Sequence, residues 1–564
     1  MAETDQTDPI ILLPRPRTLR RLAGSLATAS VKFHVSIDPS IRQEHGYSLS
    51  VSPAGVNALA GGEAGAFYAR QTFTQLLRQF PKSLPCVDIS DWPDFPVRGV
   101  MLDISRDKVP TMTTLFRLID QLAGWKINQL QLYIEHTFAY RNHRIVWENA
   151  SPLTAEEIRE LDRYCKERFI DLVPNQNSFG HMERWLKHRG YQHLAEAIDG
   201  ADTGWGFRWK GPFSLCPTDP ASLKLLRELY AELLPNFSSM LFNVGCDETF
   251  DIGQGRSQAE ATRIGKHRVY LNFIRQVNHQ VCSHGLRMMF WGDVILHQPE
   301  LISELPKNLI ALQWGYESDH PFDDQGGKFA KAGVPFYVCP GTSSWNSIAG
   351  RTDNAMANLR LAAEAGLRHG AIGYLNTDWG DNGHLQYLPV SYLGIAAGAA
   401  FSWCLDSNRD LDIVPAMNHH AFFDATGTLG RVAYNLGNLY QSCGKLSANG
   451  SALFRLLVIP PFDATPEKGM TSEGFDNAAA ALEAAIAPLS SFQPKDDDAK
   501  LITDEFRNAA AMLRHCIAIG RVKIGQQRRV ESDVAPIIAE HRRLWLARNR
   551  PGGLEDSVQR LQPT

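Results

Sequence analysis

Between residue 95 and about residue 405, short apolar runs of the kind that form buried strands take turns with segments whose apolar residues recur at helical spacing. VRGVMLDIS, NQLQLYIE, FIDLVPNQN, LFNVGCDE, RMMFWGD, LIALQWGY, PFYVCPG and AIGYLNTDW read as strands. Between the first two, TMTTLFRLIDQLAGWK puts Leu115, Leu118, Ile119, Leu122 and Trp125 on one helical stripe. About eight strand-then-helix units in succession over about 310 residues predict an α/β fold, a parallel (β/α)8 TIM barrel, with a doubly wound open sheet as the alternative. Residues 1–94 read as an α+β module: VKFHVSI and YSLSVS are strand-like, and GGEAGAFYARQTFTQLLRQF turns through glycines into a helix. From 406 to 564 the strand signal stops and helical patterns dominate, as in AKLITDEFRNAAAMLRHCIAIG. Three domains are therefore expected, 1–94, 95–405 and 406–564, with SSFQPKDDDAK as a solvated linker.

Composition narrows the function classes. A chain of 564 residues, 44% hydrophobic and 21% charged, is ordinary for a globular protein, and a formal net charge of -4 gives no long-range pull toward nucleic acid or anionic membrane. No apolar run is long enough to span a bilayer. The amino terminus, MAETDQTDPIILLPRPRTLRR, lacks the basic start and apolar core of a secretory signal. The nine cysteines are scattered with no CxxC motif, so reduced thiols and a cytoplasmic location are expected. No Gly-Lys-Ser/Thr follows the early glycines and GxGxxG is absent, which argues against nucleotide binding. His419 and His420 adjoin each other without a third partner at ligand spacing.

A barrel gathers its catalytic residues at the carboxyl ends of its strands. Those ends carry Asp103 and Arg106, Glu135 and His136, Asn175 and Asn177, Asp247 and Glu248, Trp291 and Asp293, Trp314, Trp345, and Asp378, Trp379 and Asp381. Flat indoles cover the apolar faces of a pyranose while carboxylates and amides fix its hydroxyls, so the crowd suggests a sugar site. The rival is a divalent-metal site built from Asp103, Glu135, Asp247, Glu248 and Asp293, which has less use for tryptophan. Glycosidases usually draw two carboxyl groups, roughly 5 to 9 Å apart, from different strands. The adjacent pair Asp247–Glu248 fits that poorly, because successive side chains leave a strand in opposite directions until the loop relaxes the alternation. A substrate that brings its own nucleophile removes the difficulty. The carbonyl oxygen of a 2-acetamido group can attack the anomeric carbon while Glu248 protonates the departing oxygen and Asp247 orients the acetamido N–H, with retention of configuration.

VRGVMLDISRD, the CDE after a buried strand, FGHM after the third strand and TDWGDN at the eighth together resemble family-20 glycoside hydrolases, the retaining β-N-acetylhexosaminidases. GAFYARQTFTQLL resembles their non-catalytic amino-terminal domain, so the resemblance covers about residues 30 to 405. It implies an exo-acting enzyme that removes terminal β-linked GlcNAc or GalNAc from a glycan or glycoconjugate, without cofactor or metal. It implies that Arg98 holds the 3- and 4-hydroxyls, that Trp314 and Trp379 wall the acetamido pocket and floor the ring with Trp291 close by, and that Asp381, in place of a commoner Glu, takes the 4- and 6-hydroxyls. His181 would support Glu248, and Trp345 lies near a tyrosine position that touches the acetamido oxygen. The chain departs from the family in GCDE for GGDE, in IEHT at the second strand, and in PNQNSFGH, where Asn175 and Asn177 replace carboxylates. Glu135 or His136 would partly substitute. The other readings are a catalytically silent sugar-binding barrel and a metal-dependent lyase or isomerase. The helical domain is expected to brace the barrel or to form a homodimer interface.

Overall fold

The computed structural model describes residues 9–106, 108–459 and 465–562. The acidic start of the chain and Asp107 of the ISRD stretch lie outside the described residues. The amino-terminal module is a five-stranded sheet in the order β1-β5-β3-β4-β2, formed by β1 (Thr18–Ala27), β2 (Phe33–Ile37), β3 (Tyr47–Ser52), β4 (Gly55–Ala60) and β5 (Ser83–Asp91). Alternation sets its faces: Tyr47, Leu49 and Val51 are buried while the serines between them are half-buried. The buried face packs on Tyr68, Phe73 and Leu76 of the helix Glu63–Gln79. Strand β1 carries almost no burial along its length, which is why its TLRRLAGSLA sequence holds no strand pattern.

The eight strand runs of the sequence are the eight strands of one parallel sheet: β6 (Val97–Asp103), β7 (Gln129–Tyr133), β8 (Asp171–Val173), β9 (Leu241–Asn243), β10 (Arg287–Trp291), β11 (Ile310–Trp314), β12 (Phe336–Cys339) and β13 (Gly373–Asp378). Their order, β8-β7-β6-β13-β12-β11-β10-β9, has β8 and β9 at its ends, and an Asn175–Asn243 bridge joins them. The expected (β/α)8 barrel is therefore closed. At that seam Asn243 N–H donates to Pro174 O at 2.9 Å and Gln176 N–H to Asn243 O at 3.0 Å. Inside the barrel, Gln131 Oε1 accepts both Asn243 Nδ2 at 2.9 Å and Asn175 Nδ2 at 3.1 Å. Gln131 Nε2 donates to the buried Gln129 Oε1 at 3.2 Å, and Met101, Met289, Leu312, Tyr337 and Leu375 pack around these amides to fill the interior.

The helix Leu388–Trp403 is buried on every side, as a helix apolar all round must be. It lies between the barrel and a set of further helices that includes Ile413–His420, Thr428–Gly437, Ser472–Ile486, Asp497–Lys523 and Val534–Arg548. Those helices brace the barrel through one continuous core, and the buried pair Arg548–Glu505, bidentate at 2.6 and 2.9 Å, secures the last of them. Trp125 and Trp403 are core residues. Their indole N–H groups donate to His420 O and to Asp91 Oδ1.

One expected site residue belongs to this framework instead of to the mouth. Arg98 sits at the amino end of β6, five residues or about 16 Å of extended strand from Asp103 at the other end. Its side chain is fully buried at the barrel floor. Nε donates to Lys126 O at 2.9 Å, Nη1 to Phe95 O at 2.9 Å, and Nη2 to the Tyr68 hydroxyl at 3.2 Å, while the guanidinium lies 4.9 Å above the Trp403 ring. Arg98 thus ties the amino-terminal module, the barrel and the helix Leu388–Trp403 together. Arg98→Met should lower the thermal unfolding midpoint by several degrees, because buried carbonyls lose their donors, and leave the KM of any barrel activity within about twofold. A large KM change at an unchanged midpoint would contradict this assignment.

Candidate active site

At the opposite end of the barrel the strand ends surround a cavity of about 1150 Å³. Strand β9 stops at Asn243, and the chain then passes through Gly245, Cys246 and Glu248, all with positive φ (+67, +71 and +51°). That left-handed stretch abolishes the strand alternation, so Asp247 and Glu248 both face the cavity. Position 245 must be glycine, since a Cβ there would lie 1.7 Å from Asn177 Oδ1. The Asn177 amide accepts the Cys246 N–H at 3.3 Å, Tyr270 donates to Cys246 O at 2.9 Å, and the Glu248 N–H donates to Asp293 Oδ2 at 3.0 Å.

His181 joins the two carboxylates. Its Nε2 is 3.3 Å from Asp247 Oδ2 and 3.3 Å from Glu248 Oε2, and its Nδ1 is 3.2 Å from Arg106 Nη2. A guanidinium can only donate, so Nδ1 is the acceptor in the neutral ring and the Nε2 proton faces the carboxylates. Burial alone would lower the His181 pKa. The charge and bonding of Asp247 and Glu248 override it and hold the ring well above the usual histidine value, with Arg106 opposing.

Arg106 stands where Arg98 was expected. It follows the carboxyl end of β6, and its guanidinium contacts Asp103 at 3.3 Å and Glu135 at 3.1 Å while lying 5.1 Å from the Trp379 ring. Asp103 also accepts the N–H groups of Arg106 and Gly380, which fixes the TDWGD turn to β6. Burial raises Glu135 to about 7 and Asp381 to about 6, each against the pull of Arg106. Asp293 goes to about 8, through burial first and the charge of Asp247 second. Asp293 Oδ1 and Asp247 Oδ1 are both buried without a hydrogen-bond partner among the described residues, and the upward shift of Asp293 lessens the negative charge buried there.

The walls are aromatic. Trp379 lies 6.0 Å from Trp291 and 4.8 Å from Tyr133, and its indole N–H donates to the Tyr316 hydroxyl at 2.7 Å. Tyr316 stacks on Trp314 at 5.2 Å and meets Trp345 edge-on at 4.9 Å. Asp381 faces the same space, with Asn346 Nδ2 on its Oδ2 at 3.0 Å. All the expected site residues except Arg98 thus converge here. Sequence reasoning gave no role to Tyr316, although it lies two residues beyond Trp314 on the same strand end. It placed Arg106 on the rim yet passed it over. His181, Asp247 and Glu248 offer ligand atoms within 4.8 Å of one another, the one such cluster among the described residues.

Two family profiles match this architecture: glycosyl hydrolase family 20, catalytic domain, over residues 95–348, and glycosyl hydrolase family 20, domain 2, over residues 16–92. The chain belongs to glycosyl hydrolase family 20. A β-hexosaminidase of Porphyromonas gingivalis is 24% identical over 297 residues, 46% of this chain and 37% of that relative. One of Akkermansia muciniphila is 28% identical over 226 residues, 36% and 45% respectively. The chain thus spans less than half the length of each of these relatives. Among solved structures, a Flavobacterium johnsoniae chitobiase overlays 94% of this chain and 95% of its own at a TM-score of 0.61 and 17% identity. A family-20 exo-β-N-acetylglucosaminidase of Vibrio harveyi in complex with N-acetylglucosamine overlays 72% and 76% at 0.60 and 18%. Likeness at that identity shows the fold.

The raised Asp293 gives this family-20 site a pH signature. An aspartate that titrates near 4 when unfolded and near 8 when folded binds more protons in the native state between those values, so its contribution to stability falls as pH rises through that window. Asp293→Asn keeps an acceptor for the Glu248 N–H and adds a permanent donor. It should raise the unfolding midpoint relative to the parent at pH 9, with the difference shrinking toward pH 5, as read by thermal scans across pH. A difference that grows on acidification would reverse the sign and refute the assignment.

Proposed function

We propose that this chain is an exo-acting, retaining β-N-acetylhexosaminidase that removes terminal β-linked GlcNAc or GalNAc by substrate-assisted hydrolysis. The observation that carries the reading is the asymmetry across His181: the Asp247 side chain is 8% exposed and that of Glu248 28%, though one ring nitrogen contacts both. A sequestered carboxylate suits a group that orients an amide. A more open one suits a group that must give a proton to a leaving group and recover it from water.

In the first step Glu248 donates its proton to the glycosidic oxygen, the bond from that oxygen to the anomeric carbon breaks, and the substrate's acetamido oxygen closes onto the carbon to give an oxazolinium. Asp247 accepts the acetamido N–H and stabilises the positive charge that develops, while His181 holds both acids in place. In the second step Glu248 takes a proton from water as the water oxygen attacks the anomeric carbon from the face the leaving group vacated. The oxazoline ring opens, and the configuration is retained. Arg106 and Asp381 offer a donor and an acceptor to ring hydroxyls, and the box of Trp291, Trp314, Tyr316, Trp345 and Trp379 covers the apolar faces and the acetamido methyl. The names of the relatives support this substrate class.

The same proposal extends to location and assembly. Nine free thiols, eight of them buried, support a reducing cytoplasm. Exposed Leu446 and Leu546 in the carboxy-terminal region support a homodimer through it, a state that light scattering reads directly. A divalent-metal reading rests on the His181–Asp247–Glu248 cluster, and chelator treatment should leave turnover unchanged if the sugar-assisted route operates.

The deciding assay compares aryl β-N-acetylglucosaminide, aryl β-N-acetylgalactosaminide and plain aryl β-glucoside side by side. Turnover is expected for the first two, with the glucoside slower by at least about a hundredfold because it lacks the attacking oxygen. Equal turnover of the glucoside would overturn the mechanism. Glu248→Gln should cost about two to four orders of magnitude in kcat on poor leaving groups and far less on acidic phenols, which need little protonation. A loss uniform across leaving groups would remove Glu248 from the acid role.

A further inference from the structure

The family-20 match ends at residue 348, and the helical region beyond it has no part in that match. One of its loops nevertheless enters the cavity. Ala448 and Asn449 line the space beside Asp381 and beside Trp345, which is 104 residues from Asn449 in sequence.

Asn449 is bound to the rim at three atoms. Its side-chain Oδ1 accepts the Trp345 indole N–H at 2.8 Å, its backbone N–H donates to Glu317 Oε1 at 2.7 Å, and its carbonyl accepts Asn346 Nδ2 at 3.3 Å. Asn346 Nδ2 is the same group that donates to Asp381 Oδ2 at 3.0 Å. Glu317 is itself fixed by a bidentate pair to the buried Arg351, at 2.9 and 3.0 Å, which keeps its carboxyl below the usual range although burial pushes the other way. The loop is pressed close. Ser451 N–H donates to Asn346 O at 2.8 Å, and a Cβ on Gly450 would stand 2.9 Å from that oxygen. Asn449 takes φ +51°, a conformation that Asn and Gly accept more readily than other residues. A surface loop would not need a charged anchor, a shared amide and a left-handed residue to hold one side chain against an indole.

We propose that Asn449 is a positioning residue through which the carboxy-terminal helical region sets the fit of the sugar at Asp381. It holds Trp345 directly and Asp381 through Asn346, and so governs discrimination at the hydroxyls that Asp381 faces. This rests on the N-acetylhexosaminidase reading and names what that reading lacks, a specificity element outside the family match. The aspartate at 381 is one methylene shorter than the glutamate expected there, and a rigid Asn346–Asn449 support makes a short acceptor selective because it cannot swing to follow a misplaced hydroxyl.

The test uses two variants of the full chain: Asn449→Gly, in which glycine tolerates the positive φ, keeps the backbone bonds to Glu317 and Asn346 and deletes only the amide on Trp345, and Asn346→Ala, which deletes the group that joins the Asn449 carbonyl to Asp381. On aryl β-N-acetylglucosaminide, the KM of Asn449→Gly should rise about tenfold with kcat within about threefold, and in Asn346→Ala the ratio of kcat/KM between the glucosaminide and the galactosaminide should shift at least about threefold. The unfolding midpoint should move by no more than about two degrees. Quenching of tryptophan fluorescence by free N-acetylglucosamine, measured on both proteins, reads binding without turnover. Unchanged KM and quenching in Asn449→Gly, or an unchanged ratio in Asn346→Ala, would overturn the proposal while leaving the parent activity standing. A parent protein that neither binds N-acetylglucosamine nor turns over either substrate would instead remove the functional reading beneath it. Should the glycine variant fail to fold, Glu317→Gln, which weakens the loop's anchor and keeps its acceptor, carries the same expectation at about a third of the size, and an unaltered KM and ratio there would also overturn it.

Discussion

Two cations hold six carboxylates on one rim. Arg106 and His181 stand among Asp103, Glu135, Asp247, Glu248, Asp293 and Asp381, and a cluster with so few positive groups cannot keep every acid ionised away from bulk water. The fold divides the charge. Arg106 takes Asp103 and Glu135, His181 takes Asp247 and Glu248, and the upward shifts of Asp293, Glu135 and Asp381 let those groups retain protons that the others release. The contact between Arg106 and His181 couples the two halves, because the guanidinium 3.2 Å from Nδ1 opposes the positive charge that Asp247 and Glu248 favour on the ring.

The amides that replace the expected carboxylates at 175 and 177 follow from the same constraint. Asn177 Nδ2 donates to the Tyr133 hydroxyl at 2.6 Å, and Tyr133 donates to Glu135 at 2.9 Å. A carboxylate at 177 would lose the first donor and add a further charge to a crowded rim. Asn175 has a different duty: with Asn243 and Gln131 it closes the barrel between its two three-residue strands. The seam that shuts the sheet therefore lies directly below the turn that carries Asp247 and Glu248, so closure and the placement of the two carboxylates depend on neighbouring hydrogen bonds.

Periodicity made the barrel strands, the helical tail and the paired carboxylates legible, since buried parallel strands are continuous apolar runs and an acidic pair ending one is conspicuous. Strand β1 was not legible because it buries nothing and leaves no alternation. Arg98 drew attention through its place in a motif, whereas strand polarity favours Arg106: a barrel's chemistry gathers where strands end, and Arg98 is where one begins. Asn449 left no trace in the sequence at all. Its meaning comes from contacts across roughly a hundred residues, which no local pattern records.

The shape of the pair bears on who supplies the nucleophile. An oxygen of Asp247 and one of Glu248 lie within 4.8 Å of each other and of the His181 nitrogen, short of the roughly 6.5 to 9.5 Å that an inverting site keeps open for its water. For the proposed hydrolase, retention remains, by one of two routes. A covalent route needs Asp247 to advance onto the anomeric carbon. Its side chain is 8% exposed and one oxygen lies against His181, so an advance would leave the imidazole without its partner. Accepting an N–H does not cost that contact. On the proposed reading the attacking oxygen arrives with the sugar, and a carboxylate that would be poorly placed as a nucleophile is well placed to aim one.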